Sequence, residues 1–101
     1  MHHSAAALLI AASVDGHACL GWPDAGRIAP GARADLVTVS LEGVRLAGWD
    51  PEFALDAVVF AAAAADVRNV VVDGEEIVRG GRHVGIDVAI ELHEAIRKVV
   101  A

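Results

Sequence analysis

The sequence predicts an α+β fold, a small β-sheet or partial β-sandwich with flanking helices. The dipeptide Asp73-Gly74 separates two strand-like runs, Val67–Val72 and Glu75–Arg79, and is typical of a two-residue hairpin turn. A further apolar run, Ala34–Leu41, has the length and β-branched content of a strand. Segments in which apolar residues recur at helical spacing lie on both sides of these strands.

The N-terminal segment predicts a short apolar helix. Ser4 is a suitable cap for a helix over Ala5–Ser13, which is apolar nearly all round. A helix without a polar face is expected to pack inside something larger. Asp15-Gly16 is expected to stop it, and His17–Gly21 is expected to form one more short helical turn.

The next segment predicts a tight loop that leads into the first strand. Gly26 and Gly31 bracket the loop, and Pro30 restricts its backbone. Asp35 precedes the apolar strand, and we expect it to accept backbone hydrogen bonds from this loop rather than to act in catalysis. The residues to which we assign structural roles are Gly26, Pro30, Gly31, Asp35, Asp73 and Gly74.

The rest of the chain predicts one weak strand and two helices. Val44–Ala47 is a candidate second strand. Asp50-Pro51-Glu52 has the cap, proline and acid of a helix start, which predicts a helix over Phe53–Ala64. Asp87 opens a last helix that runs through Val100. Its predicted apolar stripe consists of Val88, Leu92, Ala95, Ile96 and Val99.

Composition and charge limit the possible partners. The 101 residues suit one domain, and the net charge of −6, from 14 acidic and 8 basic residues, argues against nucleic acid or an anionic membrane as a partner. Hydrophobic residues make up 55% but aromatic residues only 4%, which predicts a thin core. Some of the apolar surface is therefore expected to contact another part of a larger molecule.

Targeting and redox signals are few. Cys19, the single cysteine, excludes an internal disulfide and is expected to be a small buried side chain. Ala5–Ala12 is apolar but lacks a basic leader and is far shorter than the ~20 residues of a membrane span. These features predict a cytoplasmic protein.

The sequence offers no recognisable catalytic or metal site. It contains no H-x-H or H-E-x-x-H spacing, and Glu75 and Glu76 are strand neighbours that point to opposite faces. We therefore predict no catalytic, cofactor-binding or metal-ligating residue in this chain. The histidines considered and rejected as ligands are His2, His3, His17, His83 and His93.

Two motifs nevertheless resemble a known enzyme family. The run Gly26-Arg-Ile-Ala-Pro-Gly-Ala-Arg-Ala-Asp-Leu-Val-Thr-Val39 is similar to the segment where metal-dependent amidohydrolases leave the catalytic barrel. Val67–Gly74 followed by Ile77–His83 resembles the closing hairpin of the same superfamily. Within it, Asp15–Trp22 and Ala57–Val70 look most like formimidoylglutamate deiminases, and imidazolonepropionase, guanine deaminase and chlorohydrolase-type enzymes share the same plan for this segment.

The resemblance implies that the chain has two parts and that the catalytic site of the enzyme lies outside both of them. Residues 1–25 would be the last helix and turn of a catalytic barrel, and residues 26–101 a small C-terminal β-domain with a closing helix. The family uses a divalent metal, usually zinc, to activate water, and these deiminases hydrolyse N-formimidoyl-L-glutamate in histidine degradation. Its metal ligands lie in parts of the enzyme that precede this segment, so the resemblance assigns none of them here.

The resemblance also implies partners. Strands 34–41 and 67–78 would pair with N-terminal strands of the same enzyme beside its barrel. Without them, the exposed edges and the apolar helix Ala5–Ser13 predict a homo-oligomer. One alternative is a standalone module that binds itself or a partner without catalysis. The weakest alternative is a small enzyme built on His17, Cys19 and His83.

Overall fold

The structure is a computed structural model, and it describes residues 3–100. Its first helix is longer than predicted, because α1 (Ala5–Ile10) continues through a π-helical segment (Ala11–Asp15) into α2 (Gly16–Cys19). The predicted stop at Asp15-Gly16 is therefore wrong. Gly16 keeps helical dihedrals, φ −61° and ψ −44°, and its N–H donates to the Ser13 carbonyl, so the π-bulge carries the helix past it.

The two ends of this helix follow the predicted capping chemistry. The Ser4 hydroxyl accepts a hydrogen bond from the Ala7 N–H at 3.1 Å. At the other end, Gly21 has a φ of +84° and reverses the chain. Cys19 lies in the last helical turn and is exposed, so the prediction of a buried thiol is wrong.

The strands form one antiparallel sheet in the order β1-β2-β3-β4. The predicted strands 67–72 and 75–79 are confirmed as β2 (Val67–Val72) and β3 (Glu75–Arg79), while the first strand contracts to β1 (Leu36–Val39). β4 (Arg82–His83) was not predicted, because Gly80-Gly81 forms a second hairpin turn rather than an end. Residues 3–100 contain this sheet alone, so the partial sandwich is reduced to a single layer.

The segment between β1 and β2 departs furthest from prediction. The predicted strand Val44–Ala47 is wrong, since Val44–Leu46 forms a 3₁₀ turn that buries Leu46. Asp50 caps the next helix as predicted, by accepting from the Glu52 N–H at 2.8 Å. A 3₁₀ turn then leads into α3 (Ala54–Ala61), which ends before the predicted Ala64 because Ala62 has extended dihedrals.

The core of the described chain is small. Its buried apolar side chains are those of Ala5, Ala25 and Leu46, each at most 3% exposed. α1 packs against α3, but larger side chains on both helices stay open to solvent, including Ile10 at 52% and Phe60 at 61%. The chain therefore folds around polar and backbone contacts more than around large apolar anchors.

The final helix stands apart from this body. α4 (Val88–Val100) has the predicted bounds, and Asp87 Oδ1 accepts from the Ile90 N–H at 3.1 Å at its start. All of its described residues are exposed, and it forms no extensive contact with another element. Within residues 3–100, no helix combines the length and apolar character needed to cross a membrane.

Candidate functional site

The loop before β1 and the turn after β2 meet in one junction. Asp35 Oδ1 accepts a hydrogen bond from the Asp73 N–H at 2.7 Å, and the Gly74 N–H donates to the Ala34 carbonyl at 2.9 Å. The predicted partner of Asp35 was the loop 26–31, and this expectation is wrong. Leu36 pairs with Val71 in the sheet, which brings Asp35 beside the turn that follows Val72.

The turn itself has the predicted backbone geometry. Asp73 and Gly74 both have positive φ, 49° and 82°, as a type I′ hairpin turn requires. Asp73 is the only non-glycine residue of the described chain with positive φ, and the bond to Asp35 holds its N–H in place. The carboxylate of Asp35 thus fixes the turn from the neighbouring strand.

Arg33 joins this junction to the end of the first helix. The backbone N–H of Arg33 donates to the Asp24 carbonyl at 2.7 Å. The Nε of its side chain lies 3.0 Å from Asp24 Oδ2 but is not aligned for a hydrogen bond, so this second contact is ionic. Its guanidinium lies 4.5 Å from the ring centre of Trp22 and 3.5 Å from Asp73 Oδ1. Sequence reasoning missed Arg33, because the strand register decides which acids reach it.

Gly26 is the point of closest approach between the loop and the helix. Its φ is +88°, and a Cβ there would lie 2.5 Å from the Ser13 carbonyl oxygen and 2.9 Å from His17 Nδ1. His17 Nδ1 donates to the same Ser13 carbonyl at 2.6 Å. Pro30 and Gly31, by contrast, lie exposed at the tip of the loop, and a Cβ on Gly31 would meet nothing within 4 Å.

A second polar contact ties the middle segment to the start of β2. Arg45 donates to both carboxylate oxygens of Asp66 at 2.9 Å, and the Ala63 N–H donates to Asp66 Oδ2 at 2.8 Å. Asp66 is 2% exposed. The Arg45 hydrogen bonds, followed by the Ala63 bond, hold the pKa of Asp66 below its ordinary value, and the pKa of Arg45 is raised in turn.

The arrangement does not fit a metal centre. No group of three or more His, Cys, Asp or Glu side chains among residues 3–100 could hold a metal ion. Asp35 and Asp66 already accept hydrogen bonds from within the chain. His17 and His83 line different clefts, so the hypothetical site that combines them with Cys19 is not assembled.

The amino-acid sequence matches the family model described as the amidohydrolase family over residues 1–77. A 5-methylthioadenosine/S-adenosylhomocysteine deaminase from Desulfitobacterium hafniense (strain DSM 10664 / DCB-2) is 37% identical over 78 residues, which are 76% of this chain and 17% of the relative. The formimidoylglutamate deiminase of Pseudomonas aeruginosa PAO1 is 39% identical over 75 residues, 74% of this chain and 16% of the relative.

Solved structures show the same similarity. A zinc-bound adenosine deaminase from Xanthomonas campestris superposes with a TM-score of 0.84 at 28% identity, covering 93% of this chain and 21% of that one. Atrazine chlorohydrolase from Arthrobacter aurescens TC1, also with zinc, gives a TM-score of 0.81 at 28% identity, with coverages of 93% and 20%. The chain thus spans about a fifth of the length of these relatives, and it belongs to the amidohydrolase family.

Proposed function

We propose that this chain is the C-terminal structural segment of a metal-dependent hydrolase that cleaves a C–N bond, and that the segment alone is inactive. The observation that carries the proposal is the family match over residues 1–77 in a chain whose described residues cannot assemble a metal centre. The zinc-bound solved relatives support a divalent metal, zinc, in the remainder of such an enzyme.

The open surfaces of the segment support a scaffolding role. β1 lies at the edge of the sheet with a neighbour on one side only, and its Val37 is 58% exposed. On the helical side, Ile10 of α1 and Phe60 of α3 also face solvent. In our proposal, N-terminal strands of the same enzyme extend the sheet at β1, and its catalytic barrel covers the apolar side of α1.

For the substrate of the whole enzyme we propose N-formimidoyl-L-glutamate. Water would replace the imino nitrogen, which leaves as ammonia, and N-formyl-L-glutamate would be the product. The 39% identity to the Pseudomonas aeruginosa deiminase supports this choice. The 37% identity to the Desulfitobacterium deaminase favours a purine nucleoside as a second candidate.

The test begins with the protein isolated from its native cells by an antibody against α4. The proposal expects an intact mass well above 10.4 kDa, a bound divalent metal, and ammonia release from N-formimidoyl-L-glutamate in preference to S-adenosylhomocysteine. The 101-residue chain is the matched control and is expected to release none. A native mass of 10.4 kDa would contradict the scaffolding role. Preference for the nucleoside would contradict the substrate alone.

A further inference from the structure

The apolar side chains of α4 are exposed to solvent in the described chain. The helix has 13 residues, and an isolated helix of this length is marginal in water. Its described residues are all exposed, and no other element packs along it. Because no element within residues 3–100 packs along α4, the helix needs a surface that the rest of the described chain does not provide.

The apolar side chains of α4 form a seam suited to another helix. Val88, Leu92, Ala95 and Val99 follow one another at spacings of four, three and four residues, which is the a/d pattern of a coiled coil. Within this seam, Leu92 is 57% exposed and Val99 is 85% exposed. A seam at this period favours a helix over a flat sheet as its partner.

The charges beside the seam favour an antiparallel over a parallel arrangement of two α4 helices. Glu91 lies in the first turn of α4 and Lys98 lies in its last turn. Two parallel copies would place like charges side by side. Two antiparallel copies place the acidic first turn of each helix along the basic last turn of the other.

We propose that α4 is a self-association helix, through which two copies of this chain pair antiparallel along the seam Val88, Leu92, Ala95 and Val99. Glu91 and Lys98 each precede a seam residue and lie on the same side of it. In the antiparallel pair, Glu91 of each copy lies beside Lys98 of the other copy. This inference goes beyond the proposed function and does not depend on it.

Sedimentation equilibrium of the full chain tests the proposal. The wild-type chain is expected to form a reversible dimer that Leu92→Glu abolishes. Glu91→Lys and Lys98→Glu are each expected to weaken the dimer about tenfold, since each turns two attractive contacts into repulsive ones. The double variant Glu91→Lys/Lys98→Glu is expected to restore dimerisation to within about threefold of wild type.

Two control variants make the same kinds of charge change at positions of α4 that lie away from the seam. Glu94→Lys and Arg97→Glu are expected to leave the dimer within about twofold of wild type. A chain that stays monomeric up to about 1 mM would overturn the proposal. A dimer that survives Leu92→Glu would place the contact elsewhere, and a double variant no better than the single ones would overturn the antiparallel register.

Discussion

The junction around Asp35 and the helix α4 differ in the contacts that stabilise them. At the junction, charged and backbone groups from three segments meet within hydrogen-bond or ionic range, and Arg33 stacks on Trp22. α4 has only its own backbone bonds and the Asp87 cap. The junction is held by polar, ionic and cation–π contacts, whereas α4 presents a row of large apolar side chains to solvent.

This difference indicates what each region requires to be stable. Polar contacts close in space let a chain with three buried apolar residues, two of them alanine, keep a defined turn and strand register. An amphipathic helix gains most of its stability from packing its apolar face, so α4 depends on a partner. Substitutions should therefore destabilise the junction directly, while at α4 they should act through association.

The largest expected effect is at Gly26. Gly26→Ala places a Cβ 2.5 Å from the Ser13 carbonyl oxygen at a φ of +88°, so backbone must move as well as adopt a strained conformation. We expect a loss of about 3 kcal/mol in unfolding free energy, measured by urea denaturation. The control Gly31→Ala has a similar φ, +83°, but open space around it, and should cost only about 1–2 kcal/mol. Equal losses would show that the close approach to Ser13 is absent.

Asp66→Asn should have the next largest effect, because it breaks the paired Arg45 contact at a buried carboxylate. We expect Tm to fall by about 10 °C at pH 7. The folded-state pKa of Asp66 is lowered, so its stabilising contribution is present above the unfolded pKa of about 4 and is lost as pH falls through the folded value.

The Tm difference between wild type and Asp66→Asn should therefore shrink on acidification toward pH 3. Glu76→Gln is the matched control, because Arg79 pairs with Glu76 through two hydrogen bonds and lowers its pKa, but the side chain of Glu76 is 36% exposed and that of Arg79 is 71% exposed. Its effect should be small at every pH. A Tm difference for Asp66→Asn that does not vary with pH would contradict the assigned ion pair.

Asp35→Ala should cost about 1 kcal/mol, since it removes the acceptor for the Asp73 N–H. Asp35→Asn keeps an acceptor oxygen at the same place and should cost less. Urea denaturation of both variants makes the comparison. If alanine and asparagine are equally harmful, the carboxylate charge rather than the hydrogen bond holds the turn.

The smallest expected effect is on the outer face of α4. Ile90 is 56% exposed and lies away from the seam, so Ile90→Gln should change the unfolding free energy by less than about 0.5 kcal/mol and leave dimerisation unchanged. Thermal denaturation and sedimentation check both quantities. A loss of association in this variant would mean that a different face of α4 makes the contact.

Local sequence signals predicted the hairpin and the last helix, whichever contacts stabilise them. The hairpin β2–β3 follows from Asp73-Gly74, and α4 follows from Asp87 and its apolar stripe, so their bounds were predicted correctly. Gly16 was overestimated as a helix stop, because glycine tolerates helical dihedrals where the backbone bonds continue.

Contacts between residues far apart in the sequence could not be predicted from the sequence alone. Asp66 and Arg45 are 21 residues apart, and the pairing of Asp35 with Asp73 spans 38. Both depend on the path of segment 40–66, where the predicted strand Val44–Ala47 proved to be a 3₁₀ turn. Gly26, Pro30 and Gly31 predicted the loop 26–31 correctly, but the sheet register decides which side chains meet there.

Hydrogen–deuterium exchange of the 101-residue chain at two concentrations tests the contrast between the regions most directly. The account predicts that the amides of Arg33, Asp73 and Gly74 are protected to the same degree at both concentrations. Amides of α4 should gain protection as the concentration rises, and Leu92→Glu should remove that gain. Protection of α4 that is independent of concentration, or junction amides that exchange as fast as an unfolded chain, would contradict it.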